Sequence, residues 1–150
     1  MTHLELKQKL VEECKKQQQK VIDNLKQVMN DAQQSANEYG PPKDRYDSFR
    51  MQLLRKKDMF GQQLDKALNE LNALEKINLK KENTVAEYGS VIITDDQKYF
   101  ISIGLGKIQY GKETYFAVSA MVPIAKALAG KKTNDIAEFN GRKMQLIDVF

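Results

Sequence analysis

Apolar positions in the first half of the chain recur every seven residues, with polar residues between them. One column is Leu4, Val11, Gln18, Leu25 and Ala32, in which Gln18 is the polar member, and a second is Cys14, Val21 and Val28. A seven-residue recurrence is the seam of a helical coiled coil, not the two-residue alternation of a strand. The pattern stops at Asn37-Glu38-Tyr39-Gly40-Pro41-Pro42-Lys43 and resumes as Tyr46, Leu53, Phe60, Ala67 and Leu74, accompanied by Leu64 and Leu71. Gly40 can adopt a positive φ and end a helix, while the two prolines remove backbone donors. The spacing therefore predicts two helices of about 35 residues, and so short a connection makes them antiparallel. At 1.5 Å per residue such a hairpin reaches roughly 50 Å.

The column that carries Leu64 and Leu71 continues toward the turn as Lys57 and Arg50. Packing is expected to weaken outward along the hairpin. Two readings stay open for these cations: they snorkel from a loosely packed seam, or they give the turn a basic flank.

Beyond residue 83 the period changes. Tyr88 to Thr94 and Lys98 to Ile103 read as a strand hairpin turning at Asp95-Asp96, and Thr114 to Val118 as a further strand. Pro123 to Gly130 reads as a short helix with proline at its first position and glycine just past its end. Asp135 to Phe139 and Met144 to Phe150 flank Asn140-Gly141, the strongest short signal for a hairpin turn. Six of the eight glycines fall in this half. The predicted class is α+β: a coiled-coil hairpin over residues 1–83, then a small sheet domain with one short helix over residues 84–150.

Composition narrows the chemistry. The chain has 150 residues and a formal net charge of +4, a mild lean and not a nucleic-acid-binding signature. No apolar run is long enough to span a bilayer, and Met1 to Leu10 lacks the apolar core of a secretory signal, so the expected compartment is the cytoplasm. Cys14 is the only cysteine and His3 the only histidine, which argues against a disulfide, a Ser-His-Asp or Cys-His centre and a His-rich zinc site. Gly106-Lys107-Ile108-Gln109-Tyr110-Gly111-Lys112 matches the G-x-x-x-x-G-K loop of nucleotide hydrolases. Glu113 follows it where a magnesium-binding Ser or Thr is required, and strand formers follow where a helix is required. These glycines read as turn residues.

With both halves placed, Val118-Ser119-Ala120-Met121-Val122-Pro123-Ile124-Ala125-Lys126-Ala127-Leu128-Ala129-Gly130-Lys131 resembles the Ile-Ser-x-x-Ser-Pro-Ile-Ala-Arg-x-Leu-x-Gly-Lys stretch of the GreA/GreB family of bacterial transcript-cleavage factors. Gly89-Ser90-Val91 and Tyr99-x-Ile101-x-x-Gly104 are also similar to the family's first two strands. The family pairs an N-terminal coiled coil with an FKBP-like C-terminal domain, in this length and order. The resemblance implies a factor that binds core RNA polymerase and is not itself an enzyme. It docks through Ser119, Val122, Pro123 and Ile124 and passes its coiled coil down the secondary channel. It has no cofactor of its own and touches nucleic acid only through the elongation complex. In the family, acidic tip residues help to hold a Mg²⁺ shared with the polymerase active site; hard cations need such oxygen ligands, and two-metal hydrolysis stabilises both attacking and leaving oxygens.

The tip departs from the family's Gly-Asp-Leu-x-Glu-Asn-Ala-Glu-Tyr. Here the matching residues are Gly40-Pro41-Pro42-Lys43-Asp44-Arg45-Tyr46-Asp47-Ser48, so Pro41 stands in the place of the first aspartate, and Asp44 and Asp47 in the places of the two glutamates. Asp44 and Asp47 are three apart, one helical turn, and could assist metal binding. The same residues also suit a helix start, Asp44 as an N-cap and Asp47 in the dipole-positive first turn. The alternative class of function is a coiled-coil and FKBP-like interaction protein unrelated to polymerase.

Overall fold

The computed structural model describes residues 2–41 and 48–150. Its order is α1 (His3–Tyr39), α2 (Ser48–Glu75), β1 (Val91–Thr94), β2 (Lys98–Ser102), β3 (Gly106–Tyr110), β4 (Glu113–Ser119), α3 (Pro123–Leu128), β5 (Ile136–Phe139) and β6 (Arg142–Val149). The α+β class read from the sequence is the one observed. Among the described residues, no helix is long and apolar enough to cross a membrane.

α1 starts with a reciprocal cap. The Glu5 amide donates to Thr2 Oγ1 at 3.1 Å and the Thr2 amide donates to the Glu5 carboxylate at 3.2 Å, so two otherwise orphaned donors are satisfied. The helix then runs 37 residues without glycine or proline. Its exposed side carries i,i+4 amide pairs, including Gln19 to Asp23 and Gln27 to Asp31, each at 2.9 Å. It ends at Gly40, whose φ of +91° only glycine adopts cheaply and whose amide reaches back to the Ala36 carbonyl.

The buried stripe of α1 is Lys7, Val11, Cys14, Gln18, Ile22, Ala32 and Ala36, joined by Leu10, with Leu25 and Met29 half-buried. Its spacing averages about 3.6 residues, the pitch of a straight helix; the first seven-residue column stays buried or half-buried from Leu4 to Ala32, and only the second slips. The second column is corrected accordingly: Val21 is 40% exposed and Ile22, at 1%, takes the inward place. On α2, Ala67 and Leu74 are buried, whereas Leu64 and Leu71 are half-buried.

The chain divides into two compact units, one formed by residues 1–17 with 73–150 and the other by residues 18–72. In the first, six strands form one sheet in the order β3-β4-β2-β1-β6-β5. All neighbours are antiparallel except β2 and β4, which pair in parallel from Tyr99 opposite Phe116 to Ser102 opposite Ser119. The hairpin of β3 and β4 carries β4 back beside β2, leaving β3 outside as a polar edge. The predicted strand turns hold: β1 pairs with β2, and β5 with β6 across Asn140-Gly141, where both residues have positive φ.

β2 is buried on both faces, which its run of four buried residues reflects. Tyr99 and Ile101 join Ile92, Leu146, Met144 and Ala137 in a core that Ala125 and Leu128 of α3 cover. On the other face Phe100 and Phe150 are almost wholly buried, and the first turns of α1 reach this side. His3 stacks on Phe150 with centroids 4.0 Å apart, and the ring nitrogens meet Glu82 and, at 2.8 Å, Asp148. Lys7 Nζ donates to Asn83 Oδ1 at 2.6 Å and to the Lys81 carbonyl. Burial lowers the Lys7 ammonium below its usual range, and Glu82 and Glu87 oppose that shift.

Candidate functional site

The two ends of the hairpin turn are held by polar and aromatic contacts in place of an apolar seam. Arg50 Nε donates to the Gly40 carbonyl at 3.1 Å, satisfying an acceptor at the end of α1. Tyr39 and Phe49 stack at a tilt with centroids 4.8 Å apart, although Phe49 remains 52% exposed. Two turns further along α2, Lys57 Nζ donates to Gln33 Oε1 at 2.7 Å. The seam cations Arg50 and Lys57 thus bond across the hairpin, a role that neither sequence reading of them had supplied. Asp44 and Asp47 lie outside the described residues. Among the described residues, no group of three or more His, Cys, Asp and Glu side chains could hold a metal ion.

The second group of candidates sits where β4 gives way to α3. Ser119 closes β4, and its hydroxyl accepts the Met121 amide at 3.1 Å while its carbonyl accepts the amide of Val122. Val122 takes the extended N-cap position at φ −76° and ψ 154°, with no side-chain cap, and Pro123 opens the helix where a missing donor costs nothing. Val122 and Ile124 are half-buried and lean on the sheet core, while Ala120, Met121 and Pro123 are exposed. Met121 is 72% exposed, and it falls on an unspecified position of the motif from which the sequence reading took its neighbours. α3 is fixed at its far end as well. Gly130, at φ +77°, donates to the Ala86 carbonyl, and the Ala86 amide donates to the Lys131 carbonyl, each at 2.8 Å. The turn and α3 are thus held by hydrogen bonds at both ends.

The other chemistry-bearing residues are structural. Gly106 to Lys112 is β3 and its turn, with Gly111 at φ +63°, and no helix N-terminus follows it. Glu113 pairs with Lys98. Cys14 is wholly buried, and burial pushes its thiol from 9.0 up to about 12. The Ser102 hydroxyl faces that thiol and partly offsets the shift without completing a regular hydrogen bond. Such a thiol is no nucleophile at neutral pH.

No protein-family model matches the chain, and no curated protein matches it. The chain is similar to several solved chains, two of which are as follows. One is that of the transcription factor Gfh1, at 14% identity and a TM-score of 0.34, covering 90% of this chain and 92% of the other. The second is GreA factor homolog 1 (Gfh1) of Thermus thermophilus, also at 14% identity and a TM-score of 0.34, covering 91% and 94%.

Proposed function

We propose that this chain is a divergent GreA-like factor that binds bacterial RNA polymerase, docking through residues 119–124 and inserting the turn of its helical hairpin into the secondary channel. The observation that carries the reading is the match of Val118 to Lys131 with the family's Ile-Ser-x-x-Ser-Pro-Ile stretch. The element order, two long helices ahead of a six-stranded sheet with one short helix, agrees with it. The turn of Ser119 to Pro123 being on the surface also supports a docking role.

The proposed action is channel occupancy with weak cleavage or none. Proline replaces the family's first aspartate at position 41, and Lys43 and Arg45 offset the field of Asp44 and Asp47. A Mg²⁺ near the tip would meet two short carboxylates where the family offers three acidic groups, and hard cations need a full oxygen shell. Any hydrolysis would belong to the polymerase.

The test is a backtracked elongation complex assembled with core polymerase from the same source. Binding of the chain with little release of short 3′ RNA, and increased release by Pro41→Asp, is the expected result. Robust release by wild type that vanishes in Asp44→Asn/Asp47→Asn without loss of binding would make the two aspartates a working metal-assisting pair. Absence of binding to core polymerase would overturn the reading as a whole.

A further inference from the structure

We infer that Met121 is the anchor of the docking surface, filling an uncharged apolar socket on the polymerase; this rests on the reading of residues 119–124 given above. Residues 114–125 carry no charged side chain in a chain that is 29% charged. Most of that run is inside β4 or against the core, but Ala120, Met121 and Pro123 face solvent, and Met121 is 72% exposed. Exposed apolar side chains elsewhere on the sheet unit, such as Ile147 at 53%, sit among charged neighbours. An exposed, charge-free patch matches the depleted charge of protein interface cores and offers nothing to a phosphate backbone, so the fitting occupant is a protein surface.

Preorganisation adds to this. The Ser119 hydroxyl holds the Met121 amide at 3.1 Å, the Val122 amide bonds to the Ser119 carbonyl, and Pro123 fixes its own φ. The backbone of the turn is therefore ordered before a partner arrives, and little further entropy is lost on binding. The methionine side chain itself is unbranched and polarizable, suited to filling a socket of imperfect shape. Val122 and Ile124, on the same turn, pack on the core.

The test is the affinity of the full chain for purified core polymerase, with Met121→Ser, Met121→Leu and, as an exposed apolar control, Ile147→Ser. Met121→Ser is expected to weaken binding about tenfold or more, Met121→Leu to stay within about threefold, and Ile147→Ser to leave it unchanged. The loss caused by Met121→Ser is expected to be the same factor, within about threefold, at about 0.05 and about 0.3 M salt, since no charge lies in the patch. Thermal melts confirm that the exposed substitutions leave the fold intact. Wild-type binding with Met121→Ser equally tight, a loss of the same size in Ile147→Ser, or a Met121→Ser loss that vanishes at the higher salt would overturn the anchor while leaving polymerase binding standing. Failure of wild type to bind would overturn both.

Discussion

The side-chain amide of Gln18, on α1 and only 3% exposed, donates to the backbone carbonyl of Ala67 on α2 at 2.9 Å. A carbonyl inside a helix already serves its own i+4 amide and has a second lone pair, so this contact orphans nothing if it is lost. Gln18→Leu is therefore expected to leave unfolding stability within about 1 kcal/mol of wild type, whereas Gln18→Ala, which also opens a void, costs about 1–3 kcal/mol. Urea denaturation separates the two. A loss of the same size in both variants would show that the hydrogen bond, not the volume, is what matters at this position.

Gly61 is the one glycine inside a helix of the hairpin, and a Cβ built there meets only Met29 Cε at 3.5 Å, an ordinary contact. Gly61→Ala is expected to stabilise the protein by about 0.5–1 kcal/mol by restricting the unfolded chain and filling the seam beside Met29. A lowered melting temperature would mean that the helices approach more closely here than the contact implies.

The bond from Lys57 to Gln33 is the clearest test of the polar seam near the turn. A double-mutant cycle with Lys57→Ala and Gln33→Ala is expected to give a coupling energy of about 0.5–1.5 kcal/mol. Strictly additive losses, measured by denaturant unfolding, would reduce Lys57 to a solvated side chain lying over the groove.

Cys14 fixes a pH dependence. Its thiol is raised in the folded state from 9.0 to about 12, so the folded form holds its proton more tightly than the unfolded form. The stability that this group contributes is complete below pH 9 and is lost as pH rises toward 12. Tyr88, Tyr99 and Tyr115 are also raised by burial and add loss in the alkaline range, while Lys7, shifted downward, works the other way as it approaches its unfolded value. The comparison is therefore the slope of unfolding free energy against pH in wild type and Cys14→Ala: the variant starts lower, because of the cavity, and falls less steeply above pH 9. Parallel slopes would contradict the assignment, as would rapid native alkylation of the thiol by iodoacetamide at pH 8.

The sequence carried the local elements well. The heptad columns placed both helices, although α2 runs 28 residues where about 35 were expected and α1 continues through Asn37 to Tyr39; Gly40 marked the end of α1, the turn after Pro41 lies outside the described residues, and Asn140-Gly141 placed the last hairpin. Its inner columns were legible only in part, because a seven-residue rule assumes 3.5 residues per turn and α1 keeps close to 3.6, which moves Ile22 inward in place of Val21. β3 was missed because an edge strand with one buried residue, Ile108, has little periodicity, and its flanking glycines read as loop. The parallel pairing of β2 with β4 has no local signature at all, since it joins strands separated by a whole hairpin. At the candidate surface, Ser119, Val122, Pro123 and Ile124 came from a motif. The exposure of Met121 arises from the turn geometry that Ser119 imposes, which spacing alone does not encode.

The division of the chain sets an order of assembly. Residues 1–17 belong with residues 73–150, so the inward stripe of Lys7, Val11 and Cys14 has no native cover until the strands have been made. The hairpin residues between them need only one another, and local helical contacts close in microseconds to milliseconds whereas distant strand pairings close later. During synthesis the hairpin is thus the first part able to fold. The start of α1 waits with its apolar side open, an amphipathic segment without its cover, until Phe150 arrives to receive the ring of His3.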